Sequence, residues 1–164
     1  MRFNQLDRIT ELLPGSRIQA ERILLADEDY LQDHFPRFPV MPGVLMLEAM
    51  YQAAAWLIRG SEQFANTVVV LKEARNVKYY DFVAPGQTLV VTAEVSKWEP
   101  QSASFKAQGT VEGRMAVGAR LVLERYCIGD RFPHRSVTDD YARRELRKVF
   151  ERLWPAAASA PGVG

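Results

Sequence analysis

Apolar and polar positions alternate along most of this chain and merge into one long apolar run near its centre. Residues 6–13 and 17–25 flank Pro14-Gly15-Ser16, a strong turn signal, and the partial alternation from Arg17 onward predicts a β-hairpin. Residues 27–33 are polar and suit a short helical turn. A loop over 34–42 follows, stiffened by Pro36, Pro39 and Pro42. From 44 to 58 almost every position is apolar. Pro42-Gly43 suits the start of a helix, because a proline in the first turn lacks an N–H that would have no helical partner there. A helix apolar on all faces is expected to be buried on all faces, most simply by a sheet wrapped around it. Gly60 offers the stop.

Strand patterns dominate the next part of the chain. Residues 67–71 and 76–80 read as strands leading to a turn over 81–86, and 89–95 is a clear strand. Phe105, Ala107, Gly109 and Val111 alternate with Lys106, Gln108 and Thr110. After a Glu112-Gly113 turn, Met115, Val117, Ala119, Leu121 and Leu123 repeat the period of two. Long strands in series after one buried helix imply an antiparallel α+β fold. Residues 139–153 change the period to that of an amphipathic helix. Tyr141, Leu146, Val149, Phe150 and Leu153 form its apolar side, Arg143, Arg144, Arg147, Lys148 and Arg152 much of the rest, and Ser136 or Thr138 its cap. The expected organisation is one domain over 1–130, a helical extension over 131–154 and a disordered Ala/Pro/Gly-rich tail over 155–164.

Composition narrows the function class only slightly. The chain has 164 residues, 48% apolar and 25% charged, with a net charge of +1, so no polyanion partner is indicated and no nucleic acid is expected. The single cysteine, Cys127, is expected as a buried small hydrophobe and makes a reducing compartment the simple reading. The N-terminus lacks the apolar core of a signal peptide, and Glu48 and Gln52 break the longest apolar run. Neither a membrane span nor secretion is indicated, and the expected location is the cytoplasm.

The chemistry concentrates in residues 34–52. His34, one of two histidines, sits on the proline loop, and Glu48 is the one carboxylate of the apolar helix. An enclosed carboxylate tends to hold its proton and so to serve as an acid, while histidine titrates near neutrality and serves as a base. Gln52 lies one turn after Glu48, on the same face, where it could orient it. The N–H groups of Gly43 and Val44 belong to the first helical turn and have no intrahelical acceptor, so they are available to a carbonyl that develops negative charge. His134 lacks a following Pro-Gly helix start and reads as a surface residue. From spacing alone, structural roles for His34 and Glu48 are as plausible as catalytic ones.

The segment resembles the signature of the β-hydroxyacyl-(acyl-carrier-protein) dehydratases of FabZ/FabA type. His34-Phe35-Pro36, Pro39-Val40-Met41-Pro42-Gly43, Leu45, Glu48, Ala49 and Gln52 match the family pattern, with weaker similarity spread over about residues 5–130. The resemblance implies a single hot-dog domain, an antiparallel sheet around a long central helix, with the C-terminal amphipathic helix added. It also implies a homodimer, or a trimer of such dimers, whose sites lie between subunits. His34 would be the base, Glu48 the acid, Gly43 and Val44 the thioester-binding amides and Gln52 a supporting group. Tyr51, Tyr79, Tyr80 and Phe38 are candidates for a tunnel or gate. The implied reaction removes water from a (3R)-hydroxyacyl thioester on acyl carrier protein, with no metal or other cofactor. Alternatives are a hot-dog acyl thioesterase and a non-catalytic acyl-binding or scaffold subunit. Arg37 departs from the family, which has glycine there. For the basic terminal helix three roles stand: a solvated packing face, a dock for acidic carrier protein, or an oligomer contact.

Overall fold

The computed structural model describes residues 3–157; residues 158–164 of the expected disordered tail lie outside them. Six antiparallel strands form one sheet in the order β1-β2-β4-β5-β6-β3. The hairpin β1 (Arg8–Leu13) and β2 (Arg17–Ile23) turns where Pro14-Gly15 predicted, and β2 pairs with β4 (Thr88–Trp98). The meander β4, β5 (Ser102–Val111) and β6 (Arg114–Tyr126) follows the alternation in the sequence, and Glu112 and Gly113 both take positive φ at the β5–β6 turn. Residues 67–71 and 76–80, expected as two strands, belong to one strand, β3 (Val68–Tyr79). Its register on β6 shifts twice, and Asn76 takes a φ of 53° at the second shift. These bulges hide its continuity from a period-two reading.

The helix α1 (Gly43–Ser61) lies across the sheet and touches all six strands. Leu45, Met46, Ala49, Met50 and residues 53–58 are buried against the sheet and loops. The helix is not buried on every face, as its composition suggested. Val44 is 69% exposed, and Leu47, Glu48, Tyr51, Gln52 and Arg59 are half-buried, which leaves one stripe at three- and four-residue spacing uncovered by this chain. The helix ends at Ser61, one residue past Gly60 and close to the expected place, but Gly60 itself stays helical and is not the stop. It lets α1 approach its neighbours, because a Cβ there would stand 3.3 Å from both Leu12 and Phe150, and the chain turns only at Gln63 and Phe64, both at positive φ. Among the described residues no helix is long and apolar enough to cross a membrane.

Beyond β6 the short helix α2 (Ile128–Arg131) and a 3-10 turn lead to α3 (Ser136–Leu153). Neither Ser136 nor Thr138 caps α3; its N-cap position is Arg135, without a side-chain bond. The anchor is Asp139, 6% exposed, which accepts from the Thr67 hydroxyl and from the Ile128 and Gly129 amides. Phe150 stacks on Trp56 at 5.8 Å and meets Phe64 edge-on at 5.4 Å, whereas Tyr141, expected on the apolar side, is exposed. Two of the basic residues serve packing. Arg143 donates to the Phe64 carbonyl at 2.8 Å and Arg147 to that of Gln63 at 3.3 Å, holding the turn after α1. Cys127 is half-buried rather than buried, and its thiol donates to the Ala65 carbonyl.

Candidate active site

His34 is held from both ends of its loop. Its backbone N–H donates to the Tyr30 carbonyl at 2.9 Å, at the end of the 3-10 turn Asp29–Gln32, and the loop is tied down by Met41 N–H on the Val83 carbonyl at 2.9 Å. The ring packs edge-on against Phe35 at 4.5 Å, and Nδ1 lies 3.0 Å from the Val40 carbonyl. A carbonyl can only accept, so Nδ1 carries the proton in this bond and Nε2 of the neutral ring is left as the basic nitrogen. Phe35 takes a φ of 51°, an unfavourable conformation for a bulky residue, directly after the histidine.

The cavity beside His34 measures about 350 Å³ and is lined by His34, Gly43, Val44, Met46, Tyr79 and Asp81, among others. Gly43 is needed here for space. A Cβ at this position would lie 2.8 Å from the Tyr79 ring. The sequence expectation thus brings His34, Gly43, Val44 and Tyr79 together. Tyr80 is not part of this group; it is exposed, with its ring over Gly118. Phe38 stands on the rim, edge-on to Phe82 at 5.4 Å, and Arg37 is exposed beside it. Asp81 was not foreseen. The Phe82 amide, and then Arg114 at 3.2 Å, hold its carboxyl below the usual range.

Glu48 faces a different space, a groove of about 330 Å³ along the open stripe of α1 that also takes in Tyr51, Gln52, Trp56 and Arg59. It is half-buried, so one chain does not supply the apolar enclosure expected for it. Gln52 Nε2 donates to Glu48 Oε1 at 3.0 Å and to the Phe3 carbonyl at 2.6 Å, while its Oε1 accepts the Gln5 amide at 2.8 Å. That last bond fixes which way the amide points. Tyr51 donates its hydroxyl to the Val69 carbonyl at 2.6 Å and forms part of the groove wall, with burial raising its pKa.

Behind both elements lies Arg22, wholly buried, which sequence reading did not single out as functional. Its Nε donates to the Gln5 side chain at 3.3 Å, and the Gln5 backbone continues to Gln52 and Glu48. Its Nη2 donates to Glu28 at 2.7 Å, and Glu28 also accepts from the Tyr30 hydroxyl, beside the carbonyl that holds His34. Burial pushes the Glu28 carboxyl up, but Arg22, Tyr30 and the Leu25 amide outweigh it and hold it low. The signal was present: Ile18, Ala20, Arg22 and Leu24 share one parity, so the arginine occupies an inward position.

Among the described residues no group of three or more His, Cys, Asp or Glu could hold a metal ion. The single antiparallel sheet curled over one long helix defines a hot-dog α+β protein. Residues 1–124 match the family model of the FabA-like domain, and the chain belongs to that family. The 3-hydroxyacyl-(acyl-carrier-protein) dehydratase FabZ of Oenococcus oeni is 37% identical over 117 residues, which cover 71% of this chain and 84% of that protein. The enzyme of the same name from Clostridium kluyveri is 31% identical over 129 residues, 79% of this chain and 88% of that one. Among solved structures, the dehydratase heterocomplex ApeI:P from Xenorhabdus doucetiae superposes with a TM-score of 0.61 at 17% identity, covering 75% of this chain and 83% of that one. A hypothetical thioesterase with coenzyme A from Streptococcus pneumoniae gives 0.57 at 10% identity, over 73% and 85%. At these identities the structural likeness speaks for the fold alone.

Proposed function

We propose that this protein removes water from (3R)-hydroxyacyl thioesters carried on acyl carrier protein, giving trans-2-enoyl thioesters, and that it does so as a homodimer with sites shared between subunits. The observation that carries this reading is the orientation of His34, with Nδ1 committed to the Val40 carbonyl and Nε2 left basic in the same cavity as the Gly43 amide. Nε2 takes a proton from C2 of the substrate. The Gly43 N–H, with that of Val44 beside it, stabilises negative charge on the thioester oxygen. A Glu48 carboxyl from the other subunit gives its proton to the C3 hydroxyl, which leaves as water while the C2–C3 double bond forms. Gln52 holds Glu48 in place. The uncovered stripe of α1 and the unpaired outer edge of β3 support a second copy as the missing wall. The core domain over 1–130 would carry the chemistry and the extension over 131–154 would pack on it. Nothing in the mechanism needs a cofactor beyond the carrier's own thioester arm, and the expected compartment is the cytoplasm.

The test is hydration of a trans-2-enoyl thioester by the wild type, His34→Ala and Glu48→Gln. Each variant should lose about 10²–10⁴-fold in rate. Mixing the two inactive variants adds a second readout. If the base and acid come from different subunits, each mixed dimer rebuilds one intact site, and random exchange restores about a quarter of the activity. Wild-type activity in His34→Ala would sink the assigned base, and no recovery on mixing would sink the shared site. Hydrolysis to free acid would instead mark a thioesterase.

A further inference from the structure

Arg59 is the only basic side chain of α1, and its surroundings do not account for it. Its Nε is buried without an acceptor, and among the described residues no carboxylate lies within ion-pair distance. Burial lowers the pKa of the guanidinium, and the one side chain that works against this is Tyr51. The guanidinium stacks on Trp56 at 5.1 Å, toward the N-terminal side of its own position. A half-buried cation with its Nε shut off from water and no counter-charge is costly unless something supplies one.

The groove supplies the place. Eleven residues, about three turns and 16 Å, separate Glu48 from Arg59, so both fall on one face of the helix and line one groove. The far wall is made by Leu146 and Val149 of α3, which lies outside the residues that match the FabA-like domain. The groove therefore starts at the carboxylate assigned to the chemistry, runs past apolar side chains, and reaches a cation beside a wall that the core domain does not provide.

We propose that Arg59 binds an anionic group of the substrate, and that this group is a carboxylate ending the acyl chain, so that the preferred substrate is the thioester of a dicarboxylic acid of medium length. This rests on the dehydratase reading above. An acyl tail lies along Ala55 and Trp56, and its terminal carboxylate takes the donors that Arg59 has free. Stacking on Trp56 keeps the guanidinium plane in position while its edge meets the ligand. The other source of an anion on the same substrate is the phosphate of the pantetheine arm, and the experiment separates the two.

The wild type is assayed with two trans-2-enoyl thioesters of equal length, one ending in a carboxylate and one in its methyl ester. The acid-ended chain should have a kcat/KM higher by about 10- to 100-fold, the range for hydrogen bonds to a charged group. In Arg59→Met the order should reverse, through KM for the acid-ended chain, and Arg59→Lys should recover part of the preference. Equal kcat/KM for the two chains in the wild type overturns the proposal without any variant, so poor folding of Arg59→Met cannot shield it. A loss in Arg59→Met that depends on whether the pantetheine arm carries its phosphate, and not on the chain end, also overturns it. Binding of both thioesters to Glu48→Gln is measured by calorimetry. A carboxylate preference there with no turnover by the wild type would refute the dehydratase reading and leave the Arg59 site standing; turnover without the preference would do the reverse.

Discussion

Replacing Asp139 with asparagine should loosen the C-terminal helix, and the size of the effect follows from its three bonds. Oδ1 accepts the Ile128 amide at 2.8 Å and the Thr67 hydroxyl, and Oδ2 accepts the Gly129 amide at 2.8 Å. Asparagine keeps one oxygen and turns the other into a donor. Whichever way it sits, one donor then faces another donor in a buried place. Leaving one such group unsatisfied, and removing the charge from the remaining bonds, costs about 2–4 kcal/mol. Thr67→Val, which keeps the shape and removes one bond, should cost about 1 kcal/mol. Burial pushes the Asp139 carboxyl up, but Thr67, the Gly129 and Ile128 amides and Arg143 outweigh it and hold it below the usual carboxylate range. Because the folded value is the lower one, the stabilisation is complete above the unfolded aspartate value of about 4 and is lost as the pH falls through the folded value. Urea titrations of the wild type and Asp139→Asn should therefore show a full gap at neutral pH that narrows once the pH drops below about 4. A gap under about 0.5 kcal/mol at neutral pH, or one that persists undiminished in acid, would refute the anchoring role.

Three further outcomes test other parts of the structure. Gly43→Ala should lower activity by moving the Tyr79 ring, since the added Cβ would lie 2.8 Å from it, and the combination with Tyr79→Ala should restore much of the loss if the ring is the obstacle. Arg22→Met leaves the half-buried Glu28 without its cation and should cost about 3–5 kcal/mol in chemical denaturation, whereas Gln5→Leu keeps the backbone N–H that Gln52 accepts, removes only the acceptor of the Arg22 Nε, and should cost about 1–3 kcal/mol with kcat little changed. Val44→Arg places a charge on the uncovered stripe of α1, where the wild-type side chain is 69% exposed, and should shift sedimentation toward monomer with a parallel loss of activity. An unchanged dimer would remove that stripe from the interface.

How far these features were legible depended on whether their cause was local. The strands β4 to β6 follow a period of two because one face is buried, and the start of α1 is set by Pro42-Gly43, so both could be read directly. The end of α1 fell near Gly60 as expected, but the turn that follows could not be read, because Gln63 and Phe64 adopt positive φ while their carbonyls are held by Arg147 and Arg143 from the far end of the chain. Asp139 looked like an ordinary first-turn residue, since its partners Thr67, Ile128 and Gly129 come together only when α3 docks. Arg22 stood at an inward parity, visible as an anomaly, but Gln5 and Glu28, which explain it, are joined to it only by folding. The His34 loop was readable as a motif. Its cavity was legible in part: the resemblance pointed to Tyr79 as a gate, whereas Asp81, which joins the wall only after α1 and the whole of β3, carried no signal of its own.

The separation of the two half-sites has a geometric origin in the spacing along α1. The free amides of Gly43 and Val44 point along the axis, out of the first turn and into the His34 cavity, whereas the Glu48 side chain leaves the helix sideways, about one turn further on, into the groove of Gln52 and Arg59. Gln52 fixes the carboxylate on its own side at 3.0 Å. In the proposed homodimer, a two-fold axis beside the open stripe would do what one helix cannot, since each copy would offer its amide cavity to the carboxylate of the other. The same operation would create two equivalent sites, which is why recovery on mixing His34→Ala with Glu48→Gln discriminates so sharply between one chain and two.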